Sequence, residues 1–250
     1  VEPDFAAEQR APLELDPRQR ELAETRTASG FRRIRGPAGS GKSMVLAARA
    51  ARLVEEGKSV LIASYNITLW HYLLGLVVRG LRKPGWLGRV RFTHFHYWCR
   101  TTCCEAGWDE PYSDLWRRLP KGPQRSKALA RLLDVDLPAL AGRAAGEPGA
   151  ARYDAILVDE GQDYRPSWWA ALRLSLRAGG EMVLVADMTQ DIYGTAGGWT
   201  EEAMVGAGFA GRWNELRLGY RMPAEAQAMA SAYAERFLPP KLADLPAALG

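Results

Sequence analysis

Apolar and polar positions along this 250-residue chain follow two rhythms. Short runs of aliphatic and β-branched residues predict strands, and the longest uninterrupted ones predict strands buried on both faces of a parallel sheet. "SVLIAS" (59–64), the segment 154–158 ending in Ala155-Ile156-Leu157-Val158, and "EMVLVAD" (181–187) are the clearest cases. "FRRIR" (31–35), "VRFTHF" (90–95) and "NELRL" (214–218) are shorter candidates. Between them, apolar residues recur at helical spacing over 43–56, 67–78, Tyr97–Glu105, 166–177 and about 223–237. The first of these helices stops at Gly57 and the last before Pro239-Pro240, as helix-stop signals require. Alternating strands and helices predict an α/β fold with a parallel sheet flanked by helices. Residues 106–152 break the rhythm, because prolines and glycines there separate short helical patches. They predict a small, mainly helical insertion whose end, "AAGEPGAAR", is flexible. The expected organisation is therefore one α/β domain, 1–105 with 153–250, interrupted by 106–152.

Two strand ends carry chemistry. After "FRRIR" comes "GPAGSGKS" (36–43), which matches the phosphate-binding pattern G-x-x-x-x-G-K-[ST] through Gly36, Gly41, Lys42 and Ser43. A strand precedes it and an amphipathic helix follows, the context in which backbone N–H groups from Gly36, Pro37-flanked Ala38, Gly39, Ser40 and Gly41 can close on phosphate oxygens. Lys42 is expected to reach the β/γ-phosphates and the Ser43 hydroxyl to ligate Mg²⁺. The second strand end is "ILVDEGQD", where an apolar run stops at Asp159, Glu160 and Asp163. A site of this kind needs a strand-end carboxylate for Mg²⁺, and Asp159 supplies it. Glu160 beside it suits a base that accepts the proton of an attacking water.

Composition is that of a soluble globular protein, 47% hydrophobic and 25% charged. No apolar run approaches the ~20 residues of a membrane span. Three crowded cysteines, Cys99, Cys103 and Cys104, argue against a disulfide framework and fit a reducing cytoplasm. With His94 and His96 they form H-x-H-x-x-C-x-x-x-C-C, which matches no usual pairing of zinc ligands. The net charge of +4 is uneven: residues 79–131 hold twelve Arg or Lys and four acids, +8, leaving −4 elsewhere. Eight Trp, Tyr and Phe residues are interleaved there. That mixture suits a groove that tracks phosphates and stacks unpaired bases, or else a solvated basic face over core aromatics.

"DEGQD" (159–163) resembles the D-E-x-Q-D motif II of UvrD/Rep-like superfamily 1 helicases, and other segments match that family in order. "LDPRQRELAE" (15–24) resembles the N-terminal Q motif, which implies that Gln19 reads the adenine edge. "LIASYNITLWHYL" (61–73) resembles motif Ia, placing Tyr65 and Asn66 on a single-strand track. "HFHYWC" (94–99) is similar to the family's T-F-H-x-x-C segment, with His94 where threonine is usual, which accounts for His96 and Cys99 without metal. "LVADMTQDIYG" (184–194) resembles motif III, with Gln190 as γ-phosphate sensor and Asp187 supporting the loop. "LRLGYRMPAEAQAMA" (216–230) resembles motif IV, with Arg221 facing the γ-phosphate. The resemblance implies that Gln162 and Asp163 couple nucleotide state to nucleic-acid-facing loops. Thr195 stands where the family's base-stacking aromatic is usual, and Trp199 is either its substitute or a packed core residue; Trp168 and Trp169 read as core.

The resemblance implies a RecA-like P-loop lobe (domain 1A) with a reduced 1B insertion. Its activity would be ATP hydrolysis with Mg²⁺, coupled to movement on single-stranded nucleic acid, DNA favoured. Motifs V and VI are not in the chain, so a second RecA-like lobe is expected outside it, and this lobe alone should turn over slowly. The alternative is a P-loop ATPase acting as a regulatory or nuclease-associated switch without unwinding.

Overall fold

A computed structural model describes residues 11–66, 69–82, 86, 88–187 and 201–220, with 228–229, 232–233 and 236–237 as short helical pieces. Six strands form one sheet in the order β3-β2-β4-β5-β1-β6, every neighbouring pair parallel. They are β1 (Phe31–Arg35), β2 (Val60–Ser64), β3 (Val90–Thr93), β4 (Tyr153–Asp159), β5 (Leu176–Ala186) and β6 (Asn214–Glu215). The helices are α1 (Pro17–Glu24), α2 (Lys42–Glu55), α3 (Leu69–Gly80), α4 (Phe95–Glu105), α5 (Asp109–Arg117), α6 (Arg125–Arg131), α7 (Leu137–Ala144), α8 (Pro166–Arg173) and α9 (Glu201–Gly206). No helix among the described residues is long and apolar enough to cross a membrane.

The uninterrupted apolar strands are explained by helices on both faces. Along β4, Ile156 and Val158 join one core with α4, α7 and α8, while Ala155 and Leu157 join the opposite core with α1, α2 and α3. Alternate residues of β2 and β5 divide in the same way. Trp168 and Trp169, expected as core, are buried in the first of these layers.

Several boundaries differ from the sequence expectation for local reasons. The helix expected over 166–177 stops at Arg173, since the chain must reverse for Leu176 to pair with Tyr153. Strand β3 ends at Thr93 and α4 starts at Phe95, because the His94 Nδ1 accepts the Tyr97 N–H at 3.4 Å and caps the helix. Residues 106–152 do not stand apart: Leu132, Leu137, Leu140 and Ala141 share a core with β2, β4 and β5. The expected flexible end is a set of hydrogen-bonded turns, with Glu147 N–H donating to Ala144 O at 3.0 Å and Ala150 N–H to Glu147 O at 3.2 Å. Between α6 and α7 the helix widens into a π-helical turn, Leu132–Asp136. Helix α1 had no counterpart in the apolar pattern. It is set by a capping box, in which Asp16 accepts the Gln19 N–H at 2.8 Å and the Gln19 side chain accepts the Asp16 N–H at 3.0 Å.

Buried arginines lock α1 and α2 to the sheet. Arg49 of α2 makes a bidentate pair with Glu181 of β5 at 2.7 and 2.6 Å, both side chains buried. Arg49 also donates to the Ala23 and Glu24 carbonyls, and Arg32 donates to Leu22 O at 2.6 Å, so the carboxyl end of α1 is satisfied from beneath. Removing one partner of such a pair leaves a charge stranded out of water. Glu181→Ala should therefore lower stability by about 3–5 kcal/mol in chemical denaturation; a loss below about 1 kcal/mol, typical of exposed pairs, would show that the pair does not hold the layers together.

Candidate functional site

The carboxyl ends of β1, β4 and β5 lie side by side, and the acids and the glycine-rich turn meet there. Strand β1 enters the turn at Gly36, whose N–H donates to Ala186 O at 3.4 Å. Gly39 and Gly41 have φ of +78° and +83°, left-handed values that glycine adopts without penalty. A Cβ on Gly36 would lie 2.5 Å from Leu216 O and 2.7 Å from Ser40 Oγ, and one on Gly41 would collide with the Gln19 amide. The turn thus packs too tightly for other residues at these places. Helix α2 then starts at Lys42 with Gly41 as N-cap and no side-chain cap, so its first N–H groups and its positive dipole end face the cleft.

Lys42 Nζ donates to Gly36 O at 2.6 Å and Pro37 O at 2.9 Å, and pairs with the buried Asp187 at 3.4 Å. The ammonium therefore sits over the crest of the turn. Ser43 Oγ donates to Asp159 Oδ2 at 2.9 Å, joining the first residues of α2 to the end of β4. Asp159 also accepts the Glu160 N–H at 3.1 Å and is almost fully buried. Burial, then the negative charge of Glu160, pushes its carboxyl from the ordinary 3.8 up to about 6, against the opposing pull of Ser43, the Glu160 N–H and Lys42.

Glu160 has φ +53°, and among the described residues no other non-glycine has a positive φ. A left-handed conformation costs such a residue roughly 1–2 kcal/mol. The geometry is held by the buried side chain of Gln162. Its Nε2 donates to Glu160 Oε2 at 2.6 Å and its Oε1 accepts the Asp187 N–H at 2.9 Å. Gln162 thereby ties the end of β4 to the end of β5. Asp163 is half-buried on the same short 3₁₀ turn, Gly161–Asp163.

An open cleft of about 530 Å³ lies over these groups, lined by Gln19, the 38–43 turn, Glu160, Asp187, Tyr72 and Tyr220. Gln19 is at the cleft, but its amide is engaged by protein at both ends, accepting from Asp16 and donating to Ser40 O at 3.0 Å. It clamps α1 onto the turn. Tyr220 closes the rim, its N–H donating to Gly39 O at 3.1 Å and its hydroxyl to Asp16 Oδ2 at 2.5 Å. The pairing of Tyr220 with Asp16 had no sequence signal, whereas the Asp187 site did, in a second apolar strand that ends in an acid. Gln190, Trp199 and Arg221 lie outside the described residues.

The residues expected on a single-strand track, Tyr65, Asn66 and His96, lie past β2 and on α4. Tyr65 is half-buried and stacks on Trp168 with ring centroids 6.5 Å apart, while Asn66 is exposed. His96 meets the edge of Trp168 at 4.9 Å, and burial lowers its pKa. In the basic segment the two rhythms separate. Phe95 and Trp98 are buried, and Trp108, Tyr112 and Trp116 pack on the same core. Among its described large apolar side chains Tyr97 alone is exposed, at 48%. Cys99 and Cys103 are buried in that core, and Cys104 is exposed.

The donor set fits a hard cation with phosphate oxygens. A hydroxyl and a desolvated carboxylate are oxygen ligands of the kind Mg²⁺ takes, and Mg²⁺ characteristically uses one or two protein groups and fills its shell from phosphate and water. Among the described residues no three His, Cys, Asp or Glu side chains gather to hold a metal by themselves. Comparison of the chain with protein-family models and with curated proteins found no match.

The buried carboxylate has a consequence for stability. The folded protein keeps the Asp159 proton up to about pH 6 and the unfolded chain only to 3.8, so folding takes up a proton between these values. Stability contributed by this group therefore falls as pH rises through that window, by roughly 1–3 kcal/mol once it is passed. Asp159→Asn should be more stable than the parent by that amount in urea denaturation at about pH 7.5, and the gap should close as pH is lowered to about 4. A variant no more stable at the higher pH would mean that Asp159 is not held desolvated.

Proposed function

We propose that this chain is the ATP-binding, ATP-hydrolysing lobe of a superfamily 1 helicase or translocase of the UvrD/Rep-like kind, RecA-like in fold. In this reading it couples hydrolysis to movement along single-stranded nucleic acid, with DNA favoured, and works with a second lobe. The observation that carries it is the 2.9 Å contact between the Ser43 hydroxyl and the buried Asp159 carboxylate beneath the glycine turn. Two segments more than a hundred positions apart meet as a hydroxyl–carboxylate pair, next to a lysine and a second carboxylate.

Each residue has a role in this reading. The turn and the N-terminus of α2 cradle the phosphates, and Lys42 exchanges the Gly36 and Pro37 carbonyls for charged phosphate oxygens, which are stronger acceptors. Ser43 and Asp159 would hold Mg²⁺, whose charge would neutralise phosphate charge. Glu160, restrained by Gln162, accepts the proton of the attacking water. Gln190 and Arg221 are assigned to the γ-phosphate by the motif resemblance. Tyr65, Asn66 and His96 are assigned to the strand by the motif resemblance, with Trp199 completing the track if it stands in for the aromatic of motif III. The second reading, an ATPase switch without unwinding activity, is favoured by one observation. The aromatics of the basic segment turn to the core, which leaves few platforms on which bases can stack there.

Nucleotide titration and phosphate release test the reading. Glu160→Gln should keep Mg²⁺·ATP binding and lose about a hundredfold or more in turnover. Lys42→Ala should instead weaken binding itself. Parental turnover in Glu160→Gln would remove the base assignment, and parental affinity in Lys42→Ala the phosphate cradle.

A further inference from the structure

The insertion carries a second concavity, remote in sequence from the site above. Helices α5, α6 and α7 with the π-helical turn enclose an open groove of about 460 Å³. Its floor is aliphatic: Leu132 and Leu140 are buried, and Leu115 and Leu119 are half-buried. Its rim is basic, formed by Arg118, Arg131 and Arg143, with Asp136 the one acid in the lining. Residues 117–131 hold six Arg or Lys and no acid, and of these Arg117 and Arg118 pair with Glu110 and Asp114 of α5.

We propose that this groove is a docking site for an acidic, amphipathic peptide segment of a partner protein, whose apolar side chains enter the leucine floor while its carboxylates meet the rim arginines. Charge complementarity selects an anionic occupant. The floor selects between anionic classes. A single strand of nucleic acid gains its sequence-tolerant affinity from bases stacked on aromatic side chains, and this groove has none in its lining. Leucine pockets between helices take aliphatic anchors at helical spacing instead.

The rim is free to engage such a ligand. Arg118 pairs with Asp114 at 2.8 Å and Arg131 with Asp136 at 3.7 Å, and both arginines are largely exposed. Exposed pairs of this kind contribute little to stability, so a ligand carboxylate can replace them. Arg143 is steadied over the Trp108 ring at 5.7 Å, which leaves a pre-oriented guanidinium at the mouth. The π-helical turn keeps Leu132 in the core while exposing Val135, an irregularity of a type often found at functional sites.

The test uses a fluorescein-labelled helical peptide of about twelve residues, with leucines at i, i+4 and i+7 and glutamates between them, in polarisation titrations against the whole chain. Controls are the same peptide with serine for leucine, and oligo(dT) of equal charge. The peptide should bind, and both the serine control and the Arg118→Glu/Arg131→Glu variant should weaken binding about tenfold or more. The two arginines are surface residues, and circular dichroism checks that the variant is folded. Leu119→Glu should abolish peptide binding with the rim intact. No binding up to about 1 mM, or equal binding of the serine control, overturns the proposal. So does oligo(dT) that binds the parent, loses that binding in the charge-reversed variant and outcompetes the peptide, which would assign the groove to nucleic acid. Self-association of the chain abolished by the same substitutions would assign it to a second copy and equally overturn it.

Discussion

The carboxylate of Asp159 is carried out of water by a strand covered on both faces, and the arrangement around it follows from that burial. A desolvated carboxylate must be paired, hydrogen-bonded or protonated. The chain answers with the Ser43 hydroxyl, one backbone N–H and the nearby Lys42 ammonium, and still leaves the carboxyl group holding its proton up to about pH 6. Those partners come from the start of α2 and from the residue after β4. The helix, the glycine turn and the strand order are therefore mutually constrained at this point. A bound cation would relieve the remaining electrostatic cost, and this is the physical basis for reading the place as a metal–phosphate site.

The surroundings keep that geometry from relaxing. Arg49 and Glu181 fix α2 against β5, so that the open end of the helix stays over the strand termini. Gln162 bridges Glu160 and the Asp187 backbone, while the Asp187 carboxylate reaches Lys42. Glu160 and the backbone at Asp187 are thus linked through one amide. On the proposed function, that link is a direct route from the residues after β5 to the group that accepts the proton.

Much of this was legible before any coordinates. Apolar runs with no polar interruption marked strands covered on both faces, and the residues after β1 and β4 marked the two halves of the site. What escaped reading depends on long-range pairing. Arg49 and Glu181 look like surface charges on a helix and a strand until the fold brings them together. Gln162 is marked only by the motif resemblance, and its bridge from Glu160 to the Asp187 backbone exists only because β4 and β5 lie side by side. The capping box of Asp16 and Gln19, with Pro17 at the first helical position, lies within the segment that resembles a nucleotide-binding motif, and the two meanings share the same residues. In the basic segment, interleaved aromatics had two meanings that spacing alone does not separate. Helical packing turned them to the core and left the arginines outside, over a floor of leucines instead of a stacking surface.

In the proposed function Ser43 and Asp159 form half of a cation site completed by nucleotide phosphates. The most direct measurement is isothermal titration of ATP into the chain with Mg²⁺ and, separately, with EDTA, for the parent and for Ser43→Ala. The account predicts that Mg²⁺ tightens binding by about tenfold or more in the parent, as expected when one divalent charge is shared between protein and phosphates, and that most of this gain disappears in Ser43→Ala. Equal affinities with Mg²⁺ and with EDTA, or a Ser43→Ala variant that responds to Mg²⁺ as the parent does, would contradict it.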